Sequence, residues 1–433
     1  MLSKADNEAL CRVGRGTPMG ELYRRFWIPM LLSEEVGAPD GPPVRVRLLG
    51  DDLVAFRDTR GVVGLIDPYC PHRGANLYWG RNEECGIRCV YHGWKFDTTG
   101  QCVDLPNTPE GETYREKVQI RAYPTWEKAG IIWAYLGPAD KEPPKPGHPW
   151  LDLPDTHRYV KRFEIECNFI QAIDGDYDPS HAFFLHSTLD GNRTNKAAAA
   201  NLTTGSGVFE GITFFDSEAV ETDYGLQFRT RRRTGGSTDR VGTSHFILPS
   251  FTTAGIQGIG INANNIRVPK DDYTTSWFRL RWSFEPLPEA ELNEYRYGGF
   301  IYPELIPGTP TPVENKSNEY NINRHLQKTY SFTGIKAFPI QDLAVQEDQW
   351  GPLADRTQEH LVKSDEMIIR YRRQLLKLAR ELEAGKEPVA PWHPEAFYQT
   401  WNEVQVVPAD GADTRVAADG VAAAAAAVQV GAC

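Results

Sequence analysis

The sequence has no excess of positive charge. Its 47 Lys and Arg residues are outnumbered by 58 Asp and Glu, for a net charge of −11. No basic block reverses that balance, which argues against a nucleic-acid partner. No apolar run reaches the roughly 20 residues that a membrane-spanning helix needs. The N-terminal stretch MLSKADNEAL lacks the apolar centre of a signal peptide. The seven cysteines form no disulfide-like framework, and Cys85 and Cys102 read as small buried thiols. These absences predict a cytoplasmic protein with no membrane attachment. Two more bear on redox chemistry. There is no C-x4-C-x2-C set of ferredoxin type. No G-x-G-x-x-G follows a strand, since the glycine-rich GIQGIGINAN stands in the wrong setting.

What the chain does carry is concentrated between Tyr69 and Trp94, YCPHRGANLYWGRNEECGIRCVYHGW. Cys70 and His72 form C-x-H, and after sixteen residues Cys89 and His92 form C-x-x-H. Two thiolates and two imidazoles at this spacing suit either a zinc site or a Rieske 2Fe-2S cluster. The alternation favours the cluster. Each half holds one Cys and one His, so each loop feeds one ligand to each iron, whereas zinc sites more often group ligands of one kind. Gly74 and Gly93 end the two halves and let backbone N–H groups approach the negatively charged sulfur atoms.

Around this stretch the texture changes several times. Residues 1–40 read as a helical N-terminal segment, with Thr17-Pro18 a plausible helix start. Residues 41–150 alternate in short runs (VRVRLLG, DLVAFRD, VVGLIDPYC, KFDTTGQCV, IIWAYL), the pattern of a β domain. Leu105-Pro106 is placed to supply a third loop over the cluster. DKEPPKPGHPW reads as a linker. Residues 151–405 form a second domain. A helix is expected over 169–185, then strands near 207–216, 226–233, 244–250, 259–265 and 275–285. Two more helices are expected over 334–350 and 357–385, the latter from Leu361, Ile368, Leu375 and Leu382 recurring every seven residues. Residues 406–433 are a low-complexity tail.

The second constellation lies in NFIQAIDGDYDPSHAFFLH. His181 and His186 are spaced H-x4-H, near one face of a helix. Asp178 lies one turn earlier, and Asp174 and Asp176 add carboxylates. Pro179 complicates a helix there. By itself H-x4-H also fits a structural pair. Beside a cluster motif it fits a mononuclear iron, whose two histidines and one carboxylate leave positions open for O2 and substrate. The carboxylate must come from elsewhere, and Asp342, Glu347 and Asp348 in PIQDLAVQEDQWG are the candidates.

Over nearly its full length, from DNEALCRVGRGTPMGELYRRFW to QDLAVQEDQWGPLADRTQEHL, the chain resembles the terminal oxygenase (α) component of Rieske non-haem iron oxygenases, in the phthalate-dioxygenase-like branch. The resemblance implies an α+β chain. An N-terminal all-β Rieske domain precedes a catalytic helix-grip (START-like) domain with an antiparallel sheet and a long C-terminal helix. It implies that Cys70, His72, Cys89 and His92 hold the 2Fe-2S cluster. Mononuclear Fe(II) falls to His181, His186 and Asp342, because the family's carboxylate opens a D-x4-E pattern that Asp342 and Glu347 match. It implies a homotrimer or stacked hexamer in which Asp178 links the partner subunit's His92 to His181. Some relatives carry Asn at the position of Gly175, so Asn168 or Gln171 is the candidate to serve there. It implies a separate NAD(P)H-dependent reductase, O2, and a small aromatic, carboxylate-bearing substrate that is hydroxylated or O-demethylated.

Candidates to meet a carboxylate are Arg229, Arg231, Arg232, Arg233, Arg240, Arg279 and Arg281, although consecutive strand residues point to both faces. Phe183, Phe184, Phe209, Phe214 and Phe215 are candidates for an apolar lining, or for core. Two other readings stand beside the oxygenase: a Rieske electron-transfer protein without chemistry of its own, and a zinc-stabilised binding protein.

Overall fold

Short alternating runs become short strands. The computed structural model describes residues 2–109, 113–187, 216–233, 237–254 and 260–409. The first ten strands are β1 (Ile28–Leu32), β2 (Val44–Leu48), β3 (Asp51–Arg57), β4 (Val63–Ile66), β5 (Arg81–Glu83), β6 (Gly86–Arg88), β7 (Lys95–Phe96), β8 (Cys102–Asp104), β9 (Thr125–Lys128) and β10 (Ile131–Ala134). They form three antiparallel sheets ordered β1-β10-β9, β2-β3-β4 and β5-β6-β7-β8. The last of these carries the Cys89–His92 loop between β6 and β7. Ile66, Leu77, Ile87, Phe96 and Ile120 pack with Cys70 and Cys89 in a small core of their own.

The second part is a single eight-stranded antiparallel sheet. Its strands are β11 (Arg158–Ile165), β12 (Asp216–Thr222), β13 (Gly225–Arg233), β14 (Thr238–Ile247), β15 (Phe251–Ala254), β16 (Asn262–Pro269), β17 (Thr275–Trp282) and β18 (Glu403–Pro408). The order is β11-β17-β16-β15-β14-β13-β12, with β18 added to β14. The helices are α1 (Lys4–Cys11), α2 (Pro18–Tyr23), α3 (Phe169–Asp176), α4 (Glu289–Asn293), α5 (Arg324–Thr329), α6 (Phe338–Gln346) and α7 (Glu366–Glu383). Thr17 caps α2 by accepting from Gly20 N, because its hydroxyl satisfies an N–H that the first turn leaves free. α7 buries Met367, Ile368, Tyr371, Leu375, Leu376 and Ala379 on one stripe. Each large aliphatic side chain there contributes about 2 kcal/mol by leaving water. No helix among the described residues is long and apolar enough to cross a membrane.

Several expectations are corrected. The helix expected over 169–185 stops at Asp176. Tyr177 leaves helical geometry, and Pro179 bars a continuation. Residues 357–362 lie in turns and extended chain, so Leu361 packs on the core from outside α7. The stretch read as a linker is held down. Trp150 and His148 are buried, and His148 stacks on Phe251 with ring centroids 4.7 Å apart. Trp27 Nε1 donates to Pro143 O at 3.1 Å. The main core therefore runs without a break from Ile28 and Trp133 to Phe246 and Phe278. The boundary set at 405/406 falls inside β18. The strand run near 207–216 lies outside the described residues except for Asp216, as do Phe209, Phe214 and Phe215 and the tail beyond residue 409.

Candidate functional site

The two loops of the Tyr69–Trp94 stretch have the same backbone. In each, the cysteine accepts from the glycine four residues on: Gly74 N to Cys70 O and Gly93 N to Cys89 O, both 2.9 Å. In each, the cysteine N–H donates one residue further on, to Ala75 O at 2.9 Å and Trp94 O at 2.8 Å. Gly74 and Gly93 have φ of 71° and 77°, a left-handed conformation that a Cβ strains. A Cβ on Gly93 would also meet Pro106 Cγ at 2.8 Å, so the Leu105-Pro106 turn does lie over the second loop. The His72 and His92 rings are 4.5 Å apart, and His72 stacks on Trp94 at 4.4 Å.

These donors fit an iron–sulfur cluster. His72 Nδ1 is buried with no hydrogen-bond partner, a lone pair left for a metal. Burial, then the adjacent Cys89 thiol, push the Cys70 thiol up to about 11, a proton that a metal displaces when it takes the thiolate. Among the described residues, the one group of three metal-type donors with all atoms within 4.8 Å lies elsewhere.

That tight group is His181, His186 and Asp342. It is built from two places. His181 sits on a short 3₁₀ turn after α3, not on a helix face, and His186 lies beyond it. Asp342 comes from α6. Its Oδ1 lies 3.5 Å from His181 Nε2 and 3.3 Å from His186 Nε2, and the two Nε2 atoms are 3.2 Å apart. The outer nitrogens are occupied. His181 Nδ1 meets the backbone carbonyl of Asp178 in a short contact, and His186 Nδ1 lies 2.7 Å from Gln341 Oε1. Gln341 Nε2 in turn donates to Ile335 O at 2.8 Å, which fixes its amide so that the oxygen faces His186. Both imidazoles therefore carry hydrogen on Nδ1 and turn Nε2 inward, the atom that would meet a metal. Burial pulls His181 down, but Asp342 and Asp178 outweigh it and carry it up to about 9. Burial raises Asp342, and the two histidines hold it well below the usual carboxylate range.

The other carboxylates have other work. Glu347 accepts from Glu166 N at 2.8 Å and from the Tyr320 hydroxyl, and Asp348 is exposed beside Lys316. Asp174 is buried between Arg356 and Arg372. Asp176 takes a two-point grip from Arg267 at 2.7 and 3.0 Å. Gln171 Nε2 donates to Gln346 O at 2.8 Å, tying α3 to the end of α6. Asn168 caps α3 and reaches Cys11 O at 2.9 Å. Asp178 Oδ1 accepts from Ser180 N at 2.8 Å, and its Oδ2 lies 3.9 Å from His181 Nδ1. Its side chain is partly exposed.

Gln341 and Phe338, whose ring stacks on His186 at 3.8 Å, were not picked out from the sequence. Their position beside Asp342 on α6 was the available signal. Of the candidate arginines, Arg231 pairs with Asp239 at 2.8 Å, while Arg279 and Arg281 are buried. Phe184 is exposed. The side chains of Phe183, Arg232 and Arg233 lie outside what the structure describes.

Residues 26–124 match the Rieske [2Fe-2S] domain family, and residues 134–418 match the family described as LigXa C-terminal domain like. The chain is 36% identical over 397 residues to the oxygenase subunit of phthalate 4,5-dioxygenase from Pseudomonas putida, covering 90% of this chain and 89% of that one. It is 32% identical over 396 residues to the oxygenase subunit of 5,5'-dehydrodivanillate O-demethylase from a Sphingobium species, covering 90% and 83%. Among solved structures, NdmB of Pseudomonas putida CBB5 shares the fold at a TM-score of 0.58 and 19% identity, covering 88% and 97%. The chain belongs to the Rieske non-haem iron oxygenases, as an oxygenase subunit that joins a Rieske domain to a LigXa-type C-terminal domain.

Proposed function

We propose that this chain is the terminal oxygenase of a multicomponent system that hydroxylates or O-demethylates an aromatic carboxylic acid. The observation that carries this reading is the His181–His186–Asp342 group, with two Nε2 atoms and one carboxylate oxygen converging on a chain that also has a Rieske domain. When bound, the 2Fe-2S cluster and the mononuclear iron supply electron relay and O2 activation. The chain's own residues do the rest. Cys70, His72, Cys89 and His92 hold the cluster, and His181, His186 and Asp342 hold the iron. Asp178 accepts from His92 of the partner subunit and stands next to His181, so a homotrimer, or two stacked into a hexamer, completes the path between the metals.

The cysteines among the described residues are free thiols, in keeping with a reducing cytoplasm. The electron source is a separate NAD(P)H-dependent reductase, because the sequence has no second cysteine set and no dinucleotide-binding turn.

Two measurements test this reading. The purified chain should hold about three irons, against about two for an electron carrier. With a compatible reductase and an aromatic acid, it should form an oxygen-dependent product. A cis-diol would identify ring dihydroxylation, and formaldehyde would identify O-demethylation. Two irons and no product would sink the proposal.

A further inference from the structure

We propose that Arg279 and Arg281 form the anion-binding element that anchors a carboxylate of the substrate beside the His181–His186–Asp342 group. This rests on the oxygenase reading and names the residues and the ligand class that serve it.

The two arginines are two apart on β17, so they leave the same face of the sheet, as does Trp277. Both are buried, at 5% and 2% exposure. Buried guanidinium groups are almost always paired, because an isolated charge is costly to remove from water. Among the described residues these two have no acidic partner. Arg281 Nε and Nη1 are buried without a hydrogen-bond partner, and among the described residues neither side chain forms an ion pair. Arg279 is surrounded instead by aromatic rings, 5.3 Å from Trp277, 5.8 Å from Tyr302 and 5.6 Å from Phe338. Burial, then the neighbouring Arg281 charge, push Arg279 down to about 9, so it keeps its charge at neutral pH.

Arg267, across from Trp277 on β16, shows what a settled neighbour looks like. It is equally buried and is gripped by Asp176. The acid whose field reaches Arg279 is Asp342, and that carboxylate is already engaged by two imidazoles.

The location gives the ligand its shape. Phe338 has its ring centroid 5.6 Å from the Arg279 guanidinium and stacks on His186 at 3.8 Å. One aromatic residue is therefore shared by the guanidinium and a candidate iron ligand. A benzoate-type acid spans a similar reach, with its carboxylate on the arginine fork and its ring toward the histidines.

The test titrates the full chain, and its Arg279→Met and Arg281→Met variants, with phthalate and benzoate by calorimetry. Benzamide is the neutral comparator, and melting temperatures are recorded without ligand. The acids should bind the unaltered chain more tightly than benzamide does. Each variant should lose about 10- to 100-fold of acid affinity and none of its benzamide affinity. Because each variant removes an uncompensated buried charge, its melting temperature should not fall. Arg279→Lys should lie between the parent and Arg279→Met, as it keeps charge but not the fork.

Acid binding no tighter than benzamide, or unchanged in both Met variants, overturns the inference. So does a variant that melts lower or fails to fold, which would mark the arginines as structural. Oxygen-dependent turnover of a neutral aromatic without preferential acid binding overturns this inference and leaves the oxygenase standing. Arginine-dependent acid binding with no oxygen-dependent product upholds the anion site and removes the oxygenase reading.

Discussion

Gln341 Oε1 lies 2.7 Å from His186 Nδ1, and that contact decides which nitrogen of His186 faces Asp342. The amide oxygen accepts only, so it selects the tautomer with hydrogen on Nδ1 and a bare Nε2. Gln341→Leu keeps the bulk and removes the acceptor. Iron affinity at the mononuclear site should drop by about 10- to 100-fold, with the visible spectrum of the cluster unchanged. Titration of the iron-depleted variant with Fe(II) measures it. Unchanged affinity would show that Gln341 serves only to cap Ile335.

Asp342 and Glu347 are five residues apart and do different things. Asp342→Ala should take the iron content from about three to about two per chain. Glu347→Ala should keep the iron and cost about 1–3 kcal/mol of stability, because it strands the Tyr320 hydroxyl and the Glu166 N–H. Iron analysis and denaturant unfolding of the two variants separate these outcomes. Loss of iron in the Glu347 variant would reverse the assignment.

Asp178→Asn should leave both metal centres bound. It should slow electron transfer between them by about tenfold or more, since it removes the negative charge proposed to accept from His92 of the partner subunit beside His181. Rapid mixing of reduced protein with O2 and substrate follows cluster oxidation in a single turnover. An unchanged rate would remove Asp178 from the path.

His148 gives a pH dependence that does not involve the metals. Burial among Trp133, Trp150 and Phe251 pushes its imidazole down to about 3. A group whose native pKa lies below its unfolded value of about 6.5 binds fewer protons when folded. Stability is therefore complete above about pH 6.5 and declines as pH falls toward the native value. His148→Phe removes that dependence. At pH 5 the variant should gain about 2 kcal/mol over the parent relative to their difference at pH 7. Denaturant midpoints at the two pH values check it, and parallel pH profiles would contradict it.

The cluster loops were legible because their chemistry is local. Cysteine, histidine and glycine stand within five residues of each other, and backbone turns alone bring them together. The strands were legible for the same reason, through alternation and turn residues. What was not legible depends on distance along the chain. Gln341 meets His186 across 155 residues, and no pattern near His186 announces it. Asp174 and Asp176 stood out only as added carboxylates near the histidines, and their arginine partners on α7 and β16 are far along the chain. The proline-rich stretch around His148 has the composition of a linker, yet burial of Trp150 holds it in the core. Arg279 and Arg281 were two names among seven, because a buried unpaired arginine is the opposite of what composition leads one to expect.

The proposed oxygenase depends on one chain joining a cluster to an oxygen-activating iron. The most direct test supplies the purified protein with a compatible reductase, NADH and an aromatic acid under labelled oxygen gas, and analyses the product by mass spectrometry. Label is expected in the product, as hydroxyl groups on the ring or in the formaldehyde released, and is expected to be lost in the Asp342→Ala variant with its cluster spectrum intact. Repeated reduction and reoxidation of the cluster with no label in any organic product would contradict it.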